Sequence, residues 1–416
     1  MNKRALTAQQ KSAEGMNHTK TSDTPAPQLE ARHHASGLNS QFNGGQLAFA
    51  DYVLRQREMI AKARSDAGSV IPEKIIDGNA PFELKPTGDY PAGKVKPYKH
   101  GVLLTHGLTD SPYFMRHLAA FFQENGFRVM AVLLPGHGTR PGDLLDVNWQ
   151  EWVKAVAYGA NRLAAEVDNI YLAGFSAGGA LSVYQSLRDA RVRGLFLFSP
   201  AFKISPKAAW ANLHKPYSWL IPSAKWVSIL PDLDIYKYES FPKNAAAQMF
   251  ALTQEINEQE LLHKLNIPVF TAASADDTTA DTSATLNFMM RIPHPSSKLI
   301  LYSADDGKHI HGFPEEKLEL VNSVVPAQRI ISSAHTAIVL PPDDMHYGAM
   351  GNYSNCSHYY PGEMKNYNAC NNKPGEVLQG EITEQNLAAG TLRRLMYNPH
   401  FAALKISMKR FIDNLQ

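Results

Sequence analysis

The sequence predicts an α/β architecture, a mostly parallel sheet with helices on both faces, and three observations carry the prediction. Apolar runs such as Gly101-Val102-Leu103-Leu104-Thr105 and Arg128-Val129-Met130-Ala131-Val132-Leu133-Leu134 are too continuous for strands with one wet face. They alternate with helix-like segments, Tyr113 to about Asn125 and Trp149 to Glu166, as strand–crossover–strand units do. The third observation is Gly174-Phe175-Ser176-Ala177-Gly178-Gly179, set between the strand-like Asn169–Ala173 and the helix-like Ala180–Gln185. A serine at the apex of so sharp a turn needs glycines at −2 and +2, where side chains would strike the flanking strand or helix. The turn offers a hydroxyl to solvent and places the next backbone N–H at a helix N-terminus, where negative charge is favoured.

In chain order, residues 1–45 are rich in Gln, Ser, Thr, Asn, Pro and Gly and read as a disordered or peripheral arm. Residues 46–98 form an extension: an amphipathic helix from Gln46 to about Ser65, read as bracing the main domain, and an edge strand near Phe82-Glu83-Leu84. A first core part spans 99–202 and ends in the strand Val192–Pro200. Between 203 and 265 the alternation stops, and prolines accompany Trp210, Trp219, Leu220, Ile221, Trp226, Ile229 and Leu230. The second core part, 266–416, resumes with the strand Ile267–Ala273, the helix Ser283–Arg291 and the strand Ser297–Ser303. A further strand is expected over Gln328–Ala334, an insertion over about 341–381, and terminal helices over Glu384–Met396 and Phe401–Leu415.

Composition bounds the function. With 416 residues the chain can bury a large core, in one big or two medium domains, and its formal charge of +2 gives no reason to expect a nucleic-acid partner. No apolar run reaches the 18 residues that suggest a transmembrane helix. Met1-Asn2-Lys3-Arg4 is a basic start without an apolar h-region, so a cytoplasmic location is expected. Cys356 and Cys370 lie 14 positions apart; paired as a disulfide they would point instead to the periplasm or to secretion.

Three motifs in register, His106-Gly107, Leu134-Pro135-Gly136-His137-Gly138 and the serine turn, resemble the α/β-hydrolase superfamily, most closely its carboxylesterase, monoacylglycerol-lipase and lysophospholipase group. The resemblance implies the α/β-hydrolase fold with a helical cap after the sixth strand, here 203–265, whose aromatics suggest an apolar acyl pocket. It implies a serine hydrolase that needs no cofactor or metal and acts on a small-molecule ester or lipid. An amide or peptide hydrolase of the same fold, or a non-catalytic binding protein, is the alternative.

The resemblance also assigns roles. Ser176 is the nucleophile, and the acid and base follow in the order Ser, Asp, His. Asp277, in the loop after Ile267–Ala273, best matches the acid position, with Asp276 and then Asp281 as alternatives. For the base, His335 follows Ser332-Ser333-Ala334, a small-residue context like the family's, but lies 58 residues after Asp277. His309 and His311, 32 and 34 residues after Asp277, have the commoner spacing, and His346 is a further candidate. The oxyanion donors implied are the backbone N–H groups of Leu108 and Ala177, while His106 and His137 read as loop-shaping. The insertion, starting soon after His335, is expected either at the active-site mouth or as a surface excursion pinned by a disulfide.

Overall fold

Strand β2 (Tyr98–Thr105) lies inside the sheet because both of its faces are apolar: Val102 and Leu104 point to one layer of core, Leu103 to the other. In the computed structural model, which describes residues 28–65, 71–88, 95–204, 221–257, 265–305, 310, 312–372 and 375–415, this strand belongs to an eight-stranded sheet. Numbered along the chain, the other strands are β1 (Phe82–Leu84), β3 (Phe127–Val132), β4 (Val167–Phe175), β5 (Val192–Phe198), β8 (Val269–Ser274), β9 (Lys298–Ser303) and β10 (Leu318–Asn322). Their order is β1-β3-β2-β4-β5-β8-β9-β10, and only β1, at one edge, runs antiparallel. The remaining two pairs, β6 (Trp226–Ser228) with β7 (Phe241–Pro242) and β11 (Leu378–Gly380) with β12 (Leu392–Arg394), are short and separate.

Helices cover both faces. On one side α4 (Trp149–Ala164) and α5 (Ala177–Ser186) bury Trp152, Leu163 and Leu181 against Leu103, Val132 and Leu172. On the other, α3 (Arg116–Glu124) and the last helix, Phe401–Asp413, bury Phe122, Leu404 and Phe411 against Val102, Phe196 and Phe270. Register then sets the site. Thr105 pairs with Gly174, Phe175 with Phe198, and Phe198 with Ala272, so the loops after β2, β4, β5 and β8 open side by side at the carboxyl edge. In parallel sheets such loops are where ligands are handled.

Residues 28–45, in the stretch expected as a disordered or peripheral arm, are ordered against the core. Asn39 Nδ2 donates to His137 O at 2.7 Å, Gly136 N donates to Asn39 O at 2.6 Å, and Phe42 N donates to Glu151 Oε2 at 2.9 Å. The helices α1 (Phe49–Arg64) and α2 (Glu73–Asn79) follow, and α1 continues the brace: Tyr52 OH meets the backbone of Leu133, and Arg64 Nε donates to Gly138 O at 2.8 Å. Residues 1–27 lie outside the described residues.

The chain leaves the sheet after β5 and returns at β8, so among the described residues five strands of the sheet, not six, precede the cap. Its described part holds the β6–β7 pair and α6 (Lys243–Asn257); Trp210, Trp219 and Leu220 fall outside the described residues. Two expected elements need correction. Gln328–Ala334 is not a strand: Ile330 makes only isolated bridges to Val325 and Gln379, buried among Ala334, Ala337, Leu395 and Tyr397. The added strand is instead β10, whose residues are mostly exposed at the sheet edge. The helix expected over Glu384–Met396 stops at Ala389, because Gly390 turns the chain (φ 153°) into β12.

Candidate active site

Ser176 sits at the turn from β4 into α5 with φ 52° and ψ −114°, a left-handed backbone that a serine adopts only under constraint. The constraint is close packing. A Cβ on Gly174 would lie 2.1 Å from Gly178 O, and one on Gly178 would lie 2.0 Å from Thr105 O. Ser176 N donates to Phe198 O at 2.9 Å, which anchors the apex to β5.

His335 heads a short turn (His335–Ala337) and is 4% exposed, its ring packed 5.2 Å from that of Phe175. Its Nε2 is 2.9 Å from Ser176 Oγ and its Nδ1 is 2.6 Å from Asp277 Oδ2. With Asp277 accepting from Nδ1–H, Nε2 is the acceptor for the Ser176 hydroxyl. Asp277 Oδ1 accepts from the backbone N–H groups of Thr279 (2.7 Å) and Ala280 (2.9 Å). Burial raises the Asp277 carboxyl, but His335 and these donors outweigh it and hold the group below the ordinary carboxylate range.

The other candidates are used elsewhere. Asp276 does not bond the histidine; burial pushes its carboxyl up to about 6. Asp281 caps the helix Thr282–Arg291 through Ser283 N and pairs with Lys203. His346 bonds Asp234 at 3.1 Å, while His309 and His311 lie outside the described residues. His106 Nε2 accepts from Leu134 N–H at 3.1 Å with Nδ1 toward Gly107 O, and His137 Nδ1 faces Pro135 O. Burial lowers both imidazoles, His137 to about 4, so they stay neutral and shape the loops.

Ser176 and His335 open into a cavity of about 730 Å³, lined also by Leu108 and Ala177. Among the described residues neither Leu108 nor Ala177 gives its backbone N–H to a protein acceptor. Apolar lining comes from the cap side, including Ile204, Leu230, Phe241 and Met249. Polar lining comes from Asn355, Ser357, His358 and Arg394. Of these, Asn355, Ser357 and His358 belong to the insertion, which is tied down by the Cys356–Cys370 disulfide. It is clamped to the cap by Tyr347 OH on Asp234 (2.8 Å) and Tyr353 OH on Glu239 (2.6 Å). Thus the 341–381 segment walls the cavity.

One ion pair here has no signal in the sequence. Lys237, from the cap, bonds Asp110 and, at 3.0 Å, Thr109 Oγ1, while Tyr238 N donates to Thr109 O at 2.9 Å. The cap therefore grips the loop that carries Leu108. Burial pushes the Asp110 carboxyl up against the opposing pull of Lys237. Lys237→Met removes that pull and raises the folded-state pKa of Asp110 further above its unfolded value. The penalty is small below the unfolded pKa, where Asp110 is protonated in both states, and grows as pH rises toward the folded pKa. We expect a loss of about 1–3 kcal/mol that is larger at pH 8 than at pH 4, read by urea unfolding at both. Equal losses at the two pH values would show that Asp110 is not ionised beside Lys237.

Sheet order, serine turn and cap define an α/β hydrolase. Residues 96–309, just over half of the chain, match the family described as "Serine aminopeptidase, S33". The chain belongs to this α/β-hydrolase family and falls with its esterase and lipase members. It is 28% identical over 177 residues to a thermostable monoacylglycerol lipase of Bacillus sp. (strain H-257), covering 42% of this chain and 70% of that protein. It is 34% identical over 83 residues to a carboxylesterase of Bacillus subtilis (strain 168), covering 20% of this chain and only 34% of that protein. Similar solved structures include one reported with two metagenome-derived lipolytic enzymes (TM-score 0.45, 22% identity, 54% of this chain and 87% of that one). Another is a monoacylglycerol lipase of Paleococcus ferrophilus (TM-score 0.40, 18% identity, 50% and 86%).

Proposed function

We propose that this carboxylic ester hydrolase works through an acyl-enzyme on Ser176. His335 takes the Ser176 proton as Oγ attacks the ester carbonyl and returns it to the departing alcohol. Asp277 orients the imidazole and stabilises its charged form. The N–H groups of Leu108 and Ala177 bind the oxyanion, and a water activated by His335 then releases the acid. The observation that carries this reading is the unbroken chain Ser176 Oγ–His335 Nε2 (2.9 Å), Nδ1–Asp277 Oδ2 (2.6 Å), opening into a cavity.

The apolar cap side of that cavity suits an acyl chain and the polar insertion side suits a hydrophilic alcohol. Monoacylglycerols or lysophospholipids, named by the relatives and by the resemblance, are the substrates we favour. The family description favours aminopeptidase action as the second reading, which needs a free carboxylate for the substrate's amine. The two cavity carboxylates, Asp110 and Glu239, are engaged by Lys237 and by Tyr353. Because Cys356 and Cys370 are bonded, we favour the periplasmic or secreted alternative over the cytoplasm. Thiol counting on protein taken directly from cells tests this, and two free thiols would reverse it.

The test is hydrolysis of p-nitrophenyl esters of increasing acyl length, with aminoacyl p-nitroanilides alongside, by wild type and Ser176→Ala. We expect ester turnover, best with a medium or long chain, and a fall on the order of 10⁴-fold or more in kcat for the variant. Anilide turnover without ester turnover would establish the second reading. Undiminished ester turnover by Ser176→Ala would remove the nucleophile from this reading.

A further inference from the structure

The insertion returns to the core at Glu381, whose carboxylate is wholly buried beneath His335. Glu381 Oε2 accepts the backbone N–H of His335 at 2.9 Å, and Oε1 accepts that of Ile382 at 2.8 Å. Arg394, from β12, closes on the same carboxylate, with Nε 2.9 Å from Oε1 and Nη2 3.0 Å from Oε2. The Arg394 Nη2 also donates to Thr279 Oγ1 at 2.6 Å. Thr279 in turn gives its backbone N–H to Asp277 Oδ1, and Asp277 Oδ2 holds His335 Nδ1. The links form a closed ring: His335, Glu381, Arg394, Thr279, Asp277 and back to His335.

That ring is hard to explain as packing alone. A buried carboxylate and guanidinium repay their desolvation only where geometry is good and the remaining hydrogen-bonding capacity is filled. Here the carboxylate is filled by two backbone donors and Arg394 Nη2, while Arg394 Nε makes a charge contact without hydrogen-bond geometry. The outer links of the pair fall on the base loop at His335 and the acid loop at Thr279. Burial raises the Glu381 carboxyl, but Arg394 and the two backbone donors hold it below the ordinary range, so it stays ionised. Its bonds to Ser332 Oγ (from Glu381 N, 2.9 Å) and, through its carbonyl, to Asn386 Nδ2 (2.9 Å) fix the peptide as well.

We propose that Glu381 and Arg394 are positioning residues for the Ser176 reaction. Together they hold the His335 backbone and the Asp277 loop in register and balance the charge around the imidazole. This inference rests on the acyl-enzyme reading. His335 arrives on an irregular segment rather than at a strand end, so no sheet hydrogen bonds hold it. The Glu381–Arg394 pair supplies the missing scaffold, and through the insertion it couples the cavity wall to the base.

The charged groups around His335 are Asp277, bonded to the imidazole, Asp110 with Lys237 from the oxyanion loop and cap, and the Glu381–Arg394 pair at its backbone N–H. The charge of Arg394 also reaches both Asp277 and Asp110. A negative charge nearby favours imidazolium and a positive one disfavours it. Glu381→Gln keeps an acceptor for His335 N–H and removes the charge, at the cost of turning an NH₂ toward Ile382 N–H and Arg394 Nε, which Oε1 faces in the wild type. Its acid limb of kcat/KM against pH moves to lower pH, and kcat falls about 10–100-fold with KM within about twofold. Arg394→Gln moves the acid limb to higher pH and also lowers kcat. The double variant, Glu381→Gln with Arg394→Gln, leaves no unpaired buried charge; its limb returns toward wild type while kcat stays at least about tenfold down.

The measurement is the pH profile of p-nitrophenyl ester hydrolysis for the three variants. Active sites are counted with a stoichiometric organophosphonate that modifies a nucleophilic serine. Opposite displacements of the acid limb establish the positioning role, since a generally loosened fold would not move them in opposite directions. If the single variants fail to fold, the kcat of the double variant decides. Wild-type kcat and an unmoved limb in folded variants, with Ser176→Ala inactive, would overturn the role and leave the acyl-enzyme reading intact. Activity surviving in Ser176→Ala would instead overturn that reading.

Discussion

Asp277→Asn is expected to lower kcat for ester hydrolysis about 10³–10⁴-fold with little change in KM, the size of effect seen when a triad acid is made neutral elsewhere. The direction follows from the two backbone donors. Thr279 and Ala280 direct their N–H groups at Oδ1, so an asparagine must place its amide oxygen there and turn its NH₂ toward His335 Nδ1. The imidazole can then accept at Nδ1 only by carrying its proton on Nε2, where it cannot receive the Ser176 proton. Steady-state kinetics on a p-nitrophenyl ester measure the effect, with Asp276→Asn as the comparison. Asp276 makes no bond to the histidine, and its replacement should cost less than about tenfold. Equal losses in the two variants would show that the acid role is shared or misassigned.

Gly178→Ala should be among the most destabilising single changes in the chain, more than about 4 kcal/mol, to the point that little folded protein accumulates. The added Cβ would meet Thr105 O at 2.0 Å, Thr105 C at 2.6 Å and His106 O at 2.7 Å. All three are backbone atoms at the end of β2, where strand pairing leaves no room to move aside. Any relief must come from pushing α5 away, which carries Ser176 with it. Gly126 makes the contrast. It has φ 82° with nothing within 4 Å of an added Cβ, so Gly126→Ala should cost only the left-handed penalty of about 1–2 kcal/mol. Urea unfolding and soluble yield compare the two, and similar losses would mean that backbone conformation rather than contact sets the cost at Gly178.

The parts of the fold legible in the sequence are those with short-range causes. The central strands are legible because a strand buried on both faces must be continuously apolar, as Val102–Leu104 and Leu195–Phe198 are. Gln328–Ala334 reads as a strand for the same reason. Ile330 and Ile331 give an apolar run, but Ile330 is buried by Leu395 and Tyr397 from far along the chain rather than by neighbouring strands. β10 was missed because an edge strand with exposed Glu319 and Leu320 carries no such run. The Glu384–Met396 helix was overextended because Gly390 is tolerated in helical patterns, whereas here it turns the chain so that Leu392 can pair with Leu378.

The candidate site divides in the same way. Ser176 and its glycines stand out in the sequence because the turn is local: strand, strained apex and helix follow one another without a break over Val167–Ser186. Asp277 could be narrowed to one loop by its place after β8, but Asp276 beside it differs only in where its carboxylate points. The choice of histidine, the grip of Lys237 on Asp110, and the link from Glu381 and Arg394 to His335 depend on segments brought together from across the chain. No periodicity or spacing encodes such meetings, because they depend on strand register, on where the insertion returns, and on which buried charges find partners. By itself, the sequence determined the layered architecture and the serine turn, both set by backbone sterics and continuous apolar burial. Which groups meet at that serine was decided only by the tertiary structure, through the packing of loops that share no local pattern.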